Sequence, residues 1–140
     1  MKFWDSSALL SLMIVDVHSG RANAIMRADE EIVASHLTTV EVSSGLWRRR
    51  HAREISVAAH LASDAVFAKL SRYWMTVAIT DAVVDEAVSL VSRHALRTGD
   101  AVQLGSAIVA RRTLRTTLRF VTFDKRLAVA ARAEGFSVLA

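Results

Sequence analysis

A chain of 140 residues that is 52% hydrophobic carries apolar material for one continuous core, and no Pro/Gly-rich stretch, low-complexity tail or internal repeat divides it. Zero cysteines exclude a disulfide framework, and the longest uncharged runs, Ser6 to Val15 and Ala101 to Ala110, are about half the length a bilayer-spanning helix needs. Eighteen Lys plus Arg against fourteen Asp plus Glu leave a net +4, so a single soluble, cytoplasmic domain over residues 1–140 with a polyanionic partner and no membrane is the expectation.

The first strand-like run is Lys2 to Trp4, followed by Asp5 and an apolar helix. Lys2 ahead of Ala8 to Val15, with Ala22, Asn23 and Ala24 beyond, also fits a signal-peptide outline, but Asp5 and Asp16 interrupt it. A second strand, Glu31 to Ala34, leads into a helix with Glu41 in its first turns and Arg48, Arg49, Arg50, His51 and Arg53 at its end. Residues Ile55 to Leu70 are alanine-rich and helical, and Met75 to Ile79 form the third strand, with Asp81 read as a simple helix N-cap. Val84, Ala87, Val88, Val91 and Ala95 recur at helical spacing as one apolar stripe. Thr98, Gly99 and Asp100 open a helix running through Ala101 to Ala110 to Arg111, Arg112, Arg115 and Arg119. Arg119 to Phe123 form the fourth strand, Asp124 follows it directly, and Phe136 to Leu139 form the fifth.

Strands alternating with helices imply a parallel sheet with right-handed crossovers, hence an α/β three-layer sandwich of about five strands flanked by helices. In such a sheet all strands end on one edge, and ligands bind where the strand order reverses. Asp5, Glu41, Asp100 and Asp124 can all face that edge. Any one of the three aspartates is explained as a helix cap, but four acids from distant segments meeting at one edge are not. Carboxylates held close together repel one another unless a cation neutralises them, and a hard divalent ion such as magnesium prefers oxygen ligands and phosphate. The histidines, His18, His36, His51, His60 and His94, show no zinc-type spacing and are read as surface or core residues. Fifteen of the eighteen cations are arginine, whose planar fork of donors suits phosphate. Arg48, seven residues after Glu41, lies on nearly the same helix face about 10 Å away and is a candidate substrate contact, the alternative being that it offsets the helix C-terminus or pairs with an acid at a dimer interface, while Arg49 and Arg50 are expected to point elsewhere.

Four segments carry a family resemblance: Asp5-Ser6-Ser7-Ala8-Leu9-Leu10, Thr38-Thr39-Val40-Glu41-Val42-Ser43-Ser44, Leu96-Arg97-Thr98-Gly99-Asp100-Ala101-Val102-Gln103-Leu104 and Val121-Thr122-Phe123-Asp124-Lys125-Arg126-Leu127. In this order and at these separations the chain resembles the PIN-domain ribonucleases, specifically the VapC-like toxins of bacterial toxin-antitoxin pairs. The resemblance implies a five-strand parallel sheet, a homodimer, magnesium or manganese dependence, hydrolysis of RNA and a cognate antitoxin protein that blocks the acidic pocket. It also implies that Asp5, Asp100 and Asp124 are metal ligands and that Glu41 orients a water. Ser6 and Thr122 are placed to hydrogen-bond carboxylates or a phosphate. Gln103 and Gly105 depart from the usual apolar, alanine-rich segment, which bears on packing more than on chemistry. Two competing readings are a receiver-type signalling domain, which lacks its lysine after the last strand, and a non-catalytic RNA-binding or regulatory module using the arginine clusters.

Overall fold

The computed structural model describes residues 1–140. Its strands β1 (Lys2–Trp4), β2 (Ile32–Ser35), β3 (Met75–Val77), β4 (Arg119–Val121) and β5 (Val138–Leu139) form one parallel sheet in the order β3-β2-β1-β4-β5. Helices α1 (Ser6–Met13) and α2 (Ser19–Ala28) join β1 to β2, and α3 (Leu37–His51) and α4 (Val57–Ser71) join β2 to β3. The chain then returns through α5 (Asp81–His94) and α6 (Thr98–Leu114) to β4, and α7 (Lys125–Ala133) leads to β5.

Alternation along the central strands builds the three layers. Phe3 pairs in register with Val33 and Phe120, and all three enter a core shared with Leu90 of α5, Leu104 and Ile108 of α6 and Leu127 of α7. Trp4 and Val121 point to the opposite face, into a second core with Leu9 of α1, Ile25 of α2 and Val42 and Leu46 of α3. A sheet buried on both faces explains why β1, β2 and most of β4 read as continuous apolar runs.

The expected α/β sandwich with five parallel strands is present, but the elements differ in detail. Strand β3 ends at Val77 rather than Ile79, β4 at Val121 rather than Phe123, and β5 is reduced to Val138 and Leu139. Pairing stops where the chain turns into the loops above the sheet. Helix α2 is absent from the sequence expectation, because only Ala22 and Ile25 of its ten residues are buried and the apolar period is weak. Asp81 is the first residue of α5, with Thr80 at the cap position and no side-chain cap bond, so its reading as the N-cap is corrected by one residue. The apolar stripe on α5 is likewise two stripes: Val83, Ala87 and Leu90 enter the core, whereas Val84, Val88 and Val91 are exposed. Positions 83 and 84 differ by about 100° around a helix, so periodicity alone could not decide which faced inward.

Gly105 brings α5 and α6 together: a Cβ at this position would lie 3.1 Å from the Val83 carbonyl oxygen and 3.3 Å from the Ala87 nitrogen. Both obstacles are backbone, so the helices must separate to admit a side chain. We expect Gly105→Val to lower the unfolding free energy by about 1–3 kcal/mol in denaturant titrations. Unchanged stability would mean that the α5–α6 spacing is not set by this glycine.

Candidate functional site

The strand order places β2 and β3 on one side of β1 and β4 and β5 on the other, so the connections leave β1 and β4 in opposite directions. That divergence opens a crevice at the carboxyl ends of the two strands. Asp5 follows β1 and Asp124 lies three residues beyond the end of β4. Asp5 caps α1, with Oδ1 accepting from the Ala8 amide at 2.8 Å, and Asp124 caps α7, with Oδ1 accepting from the Leu127 amide at 2.9 Å. Capping is therefore real for both. It does not account for what surrounds Asp5.

Asp5 is 3% exposed. The Ser7 hydroxyl lies 2.9 Å from both carboxylate oxygens, and the Thr122 hydroxyl donates to Oδ2 at 2.8 Å while accepting the Asp124 amide at 3.0 Å. Burial nevertheless dominates and, with help from the charge on Glu41, pushes the carboxyl up to about 7 despite these donors. Asp100 sits in the first turn of α6, two residues after its start, where Arg97 is the cap residue. Its pKa is raised by partial burial and by the charges of Asp124 and Glu41, against the opposing effect of Arg97 and Arg126. None of the four acids has a cationic partner within 4.0 Å. At the opposite end of the sheet, by contrast, the buried Lys2 ammonium is answered by Asp29 at 3.1 Å.

Glu41 is held by a residue that sequence reasoning assigns to packing. Gln103, buried behind Asp100, donates to Glu41 Oε2 at 2.6 Å and to the Thr38 hydroxyl at 3.0 Å, so its departure from an apolar pattern also reaches the acidic cluster. Gly99 leaves room for the other oxygen, because a Cβ there would lie 2.5 Å from Glu41 Oε1. Ser7 rather than Ser6 is the serine bonded to Asp5, whereas Thr122 bonds Asp5 as the sequence allows.

A cleft of about 580 Å³ runs beside the acids between α1 and α3, with Glu41, Asp124, Arg48 and Ser44 among its walls. Arg49 also lines it, with Nη1 donating to the Gly45 carbonyl at 3.3 Å, so the expectation that Arg49 points elsewhere does not hold. Two further lining residues escape the sequence reading. His18 stacks on Phe123 at 4.5 Å between ring centroids, and Asp16 accepts bonds from Ser11, Ser19 and the His18 amide. The short Asp16-x-x-Ser19 spacing is the only sequence signal for this loop.

Residues 2–133 match the family description PIN domain. No curated protein matches the chain in sequence. Among solved structures, a toxin-antitoxin complex from Klebsiella pneumoniae has a chain superposing with a TM-score of 0.69 at 18% identity, covering 100% of this chain and 97% of that one. VapC20 from Mycobacterium tuberculosis, described as a toxin that cleaves the sarcin-ricin loop, superposes at 0.68 with 20% identity over 97% and 96% of the two chains. A Pyrobaculum aerophilum protein superposes at 0.65 with 22% identity over 99% and 88%. At these identities the likeness is one of fold.

The donor set fits a hard cation: four carboxylates, of which Asp5 and Asp100 have pKa values raised by burial and by neighbouring acids, with no imidazole or thiolate required. No three acidic or imidazole side chains lie within coordinating reach of a single ion, so holding one here would require the carboxylates to draw inward.

The raised pKa of Asp5 has a thermodynamic consequence without any metal. Between about pH 4 and pH 7 the unfolded chain gives up this proton while the folded chain keeps it, so stability falls as pH rises, and the penalty is complete above 7. In chelator, we expect Asp5→Asn, which retains a capping side chain, to flatten this decline by up to about 4 kcal/mol in pH-dependent unfolding. Parallel profiles for wild type and variant would contradict it.

Proposed function

The chain belongs to the PIN-domain family, and from that membership we propose that it is a magnesium-dependent endoribonuclease acting as the toxin of a toxin-antitoxin pair. One observation carries the reading: Asp5, Glu41, Asp100 and Asp124, supplied by four distant segments, converge at the β1/β4 crevice without a neutralising cation. A non-catalytic RNA-binding module would have no use for carboxylates held against their own repulsion beside a phosphate path.

In this reading Asp5, Asp100 and Asp124 hold magnesium or manganese. The ion, when bound, lowers the pKa of water and stabilises charge on the phosphate. Glu41 orients the attacking water and accepts its proton at Oε1, the oxygen that Gln103 leaves free. The water oxygen bonds to phosphorus as the bond to the 3′ oxygen breaks, and that oxygen takes a proton from solvent water, giving 5′-phosphate and 3′-hydroxyl ends. Arg48 binds a neighbouring phosphate from the cleft wall.

The remaining parts of the proposal are organisation and partners. One domain spans residues 1–140 and works in the cytoplasm, and no helix is long and apolar enough to cross a membrane. A second copy covers the exposed Val84, Val88 and Val91 of α5, giving a homodimer. The partner is a cognate antitoxin protein, a reading supported by the fold shared with a chain solved in a toxin-antitoxin complex.

Adding magnesium to the purified chain with mixed RNA should cause cleavage that a chelator stops. We expect Asp5→Asn and Asp100→Asn to remove this activity, and undiminished cleavage by either would contradict the assignment. Gly99→Ala displaces Glu41 by steric contact and Gln103→Leu releases it, so each should slow cleavage by roughly tenfold or more. Magnesium affinity should be less affected than rate. Loss of affinity with an unchanged rate at saturation would instead make Glu41 a ligand only.

A further inference from the structure

Several cations outside the cleft are held by partners. Arg93 and Arg112 pair with Glu86 and Arg93 also with Glu134, Arg119 pairs with Asp29, and Arg111 lies over the Phe136 ring. Arg97, Lys125 and Arg126 have no carboxylate within 4.0 Å and line a cavity of about 630 Å³ together with Asp100. Helix stability does not explain them either. Lys125 and Arg126 are the first two residues of α7 and Arg97 precedes α6, positions where the helix dipole disfavours a positive charge.

The cavity neighbours the cleft through an intervening hollow. Phe123 and Asp124 line both the cleft and a smaller hollow next to it, while Asp100, Arg97, Lys125 and Arg126 line both that hollow and the cavity. The hollows therefore lie side by side, from Arg48 and Arg49, past the acids, to Arg97, Lys125 and Arg126.

Resting on the nuclease reading above, we propose that Arg97, Lys125 and Arg126 form a second backbone-phosphate subsite, on the opposite side of the scissile bond from Arg48. A single RNA strand is then gripped by cations on both sides of the acids. The scissile bond is internal because the two subsites engage phosphates upstream and downstream of it. The two grips also offset the repulsion between a polyanion and the carboxylates it must approach.

The test is anisotropy of a fluorescein-labelled twelve-nucleotide single-stranded RNA of mixed sequence, titrated with the purified chain in EDTA over a range of salt concentrations. Lys125→Ala/Arg126→Ala should weaken binding about tenfold and reduce the slope of log affinity against log salt by about 0.7 for each phosphate no longer neutralised. Arg126→Lys should restore most of the slope when made alone. Arg112→Ala/Arg115→Ala, which removes the same charge elsewhere, should leave the slope nearly as in wild type. The unfolding midpoint of Lys125→Ala/Arg126→Ala should stay close to that of wild type, since both side chains are exposed and make no ion pair. If wild type binds RNA and Lys125→Ala/Arg126→Ala matches it, or if both double variants lower the slope equally, the subsite is wrong and the nuclease reading stands. If wild type neither binds nor cleaves RNA, both fall.

Discussion

Repulsion among carboxylates is the constraint around which the upper edge of this sheet is organised. Two ends of the fold treat buried charge in opposite ways. Below, Lys2 is nearly inaccessible yet neutralised by Asp29. Above, Asp5 is nearly as buried, its hydrogen bonds do not offset the loss of water, and Glu41 adds to the strain. The contrast between a buried ion that is directly paired at one end and acids with no cation in contact at the other supports the proposal that a cation completes the upper edge.

The sheet topology supplies the rigidity this requires. Trp4 and Phe3 anchor β1 in two separate cores, so Asp5 leaves the strand from a backbone that cannot retreat. Thr122 ties Asp5 to the start of the Asp124 loop through one hydroxyl, and Gln103 ties Glu41 to the helix that carries Asp100. Two of the acids, Asp5 and Asp124, thus share one hydrogen-bonded link although 119 positions separate them, and Glu41 is tied to the helix that carries Asp100. Substitutions in these links are expected to act through orientation, and substitutions among the acids through charge.

Much of the fold is legible because its strands are short apolar runs separated by strongly helical segments, as between Met75 and Leu114. Strand ends are less legible, since the Val121-Thr122-Phe123 run remains apolar after its ladder has ended and the backbone has turned toward Asp124. The burial of α5 is ambiguous for a related reason: adjacent valines at 83 and 84 offer two stripes, and only the approach of α6 through Gly105 selects one. For the candidate site, strand-end position locates the acids. It cannot reveal Gln103 reaching Glu41, Ser7 in place of Ser6, or Arg49 in the cleft, because each depends on side-chain direction across elements far apart in sequence. Asp81 shows the limit from the other side, since it also follows a strand but opens α5 at the sheet margin away from the crevice.

The most direct test of the central claim is a manganese titration of the purified chain, with free ion followed by electron paramagnetic resonance, for wild type, Asp5→Asn, Asp100→Asn and Asp81→Asn. If uncompensated charge at the crevice is what the fold has built, wild type and Asp81→Asn bind the ion alike, while Asp5→Asn and Asp100→Asn bind it at least about tenfold more weakly. Equal binding by all four proteins, or none by wild type, would contradict the account.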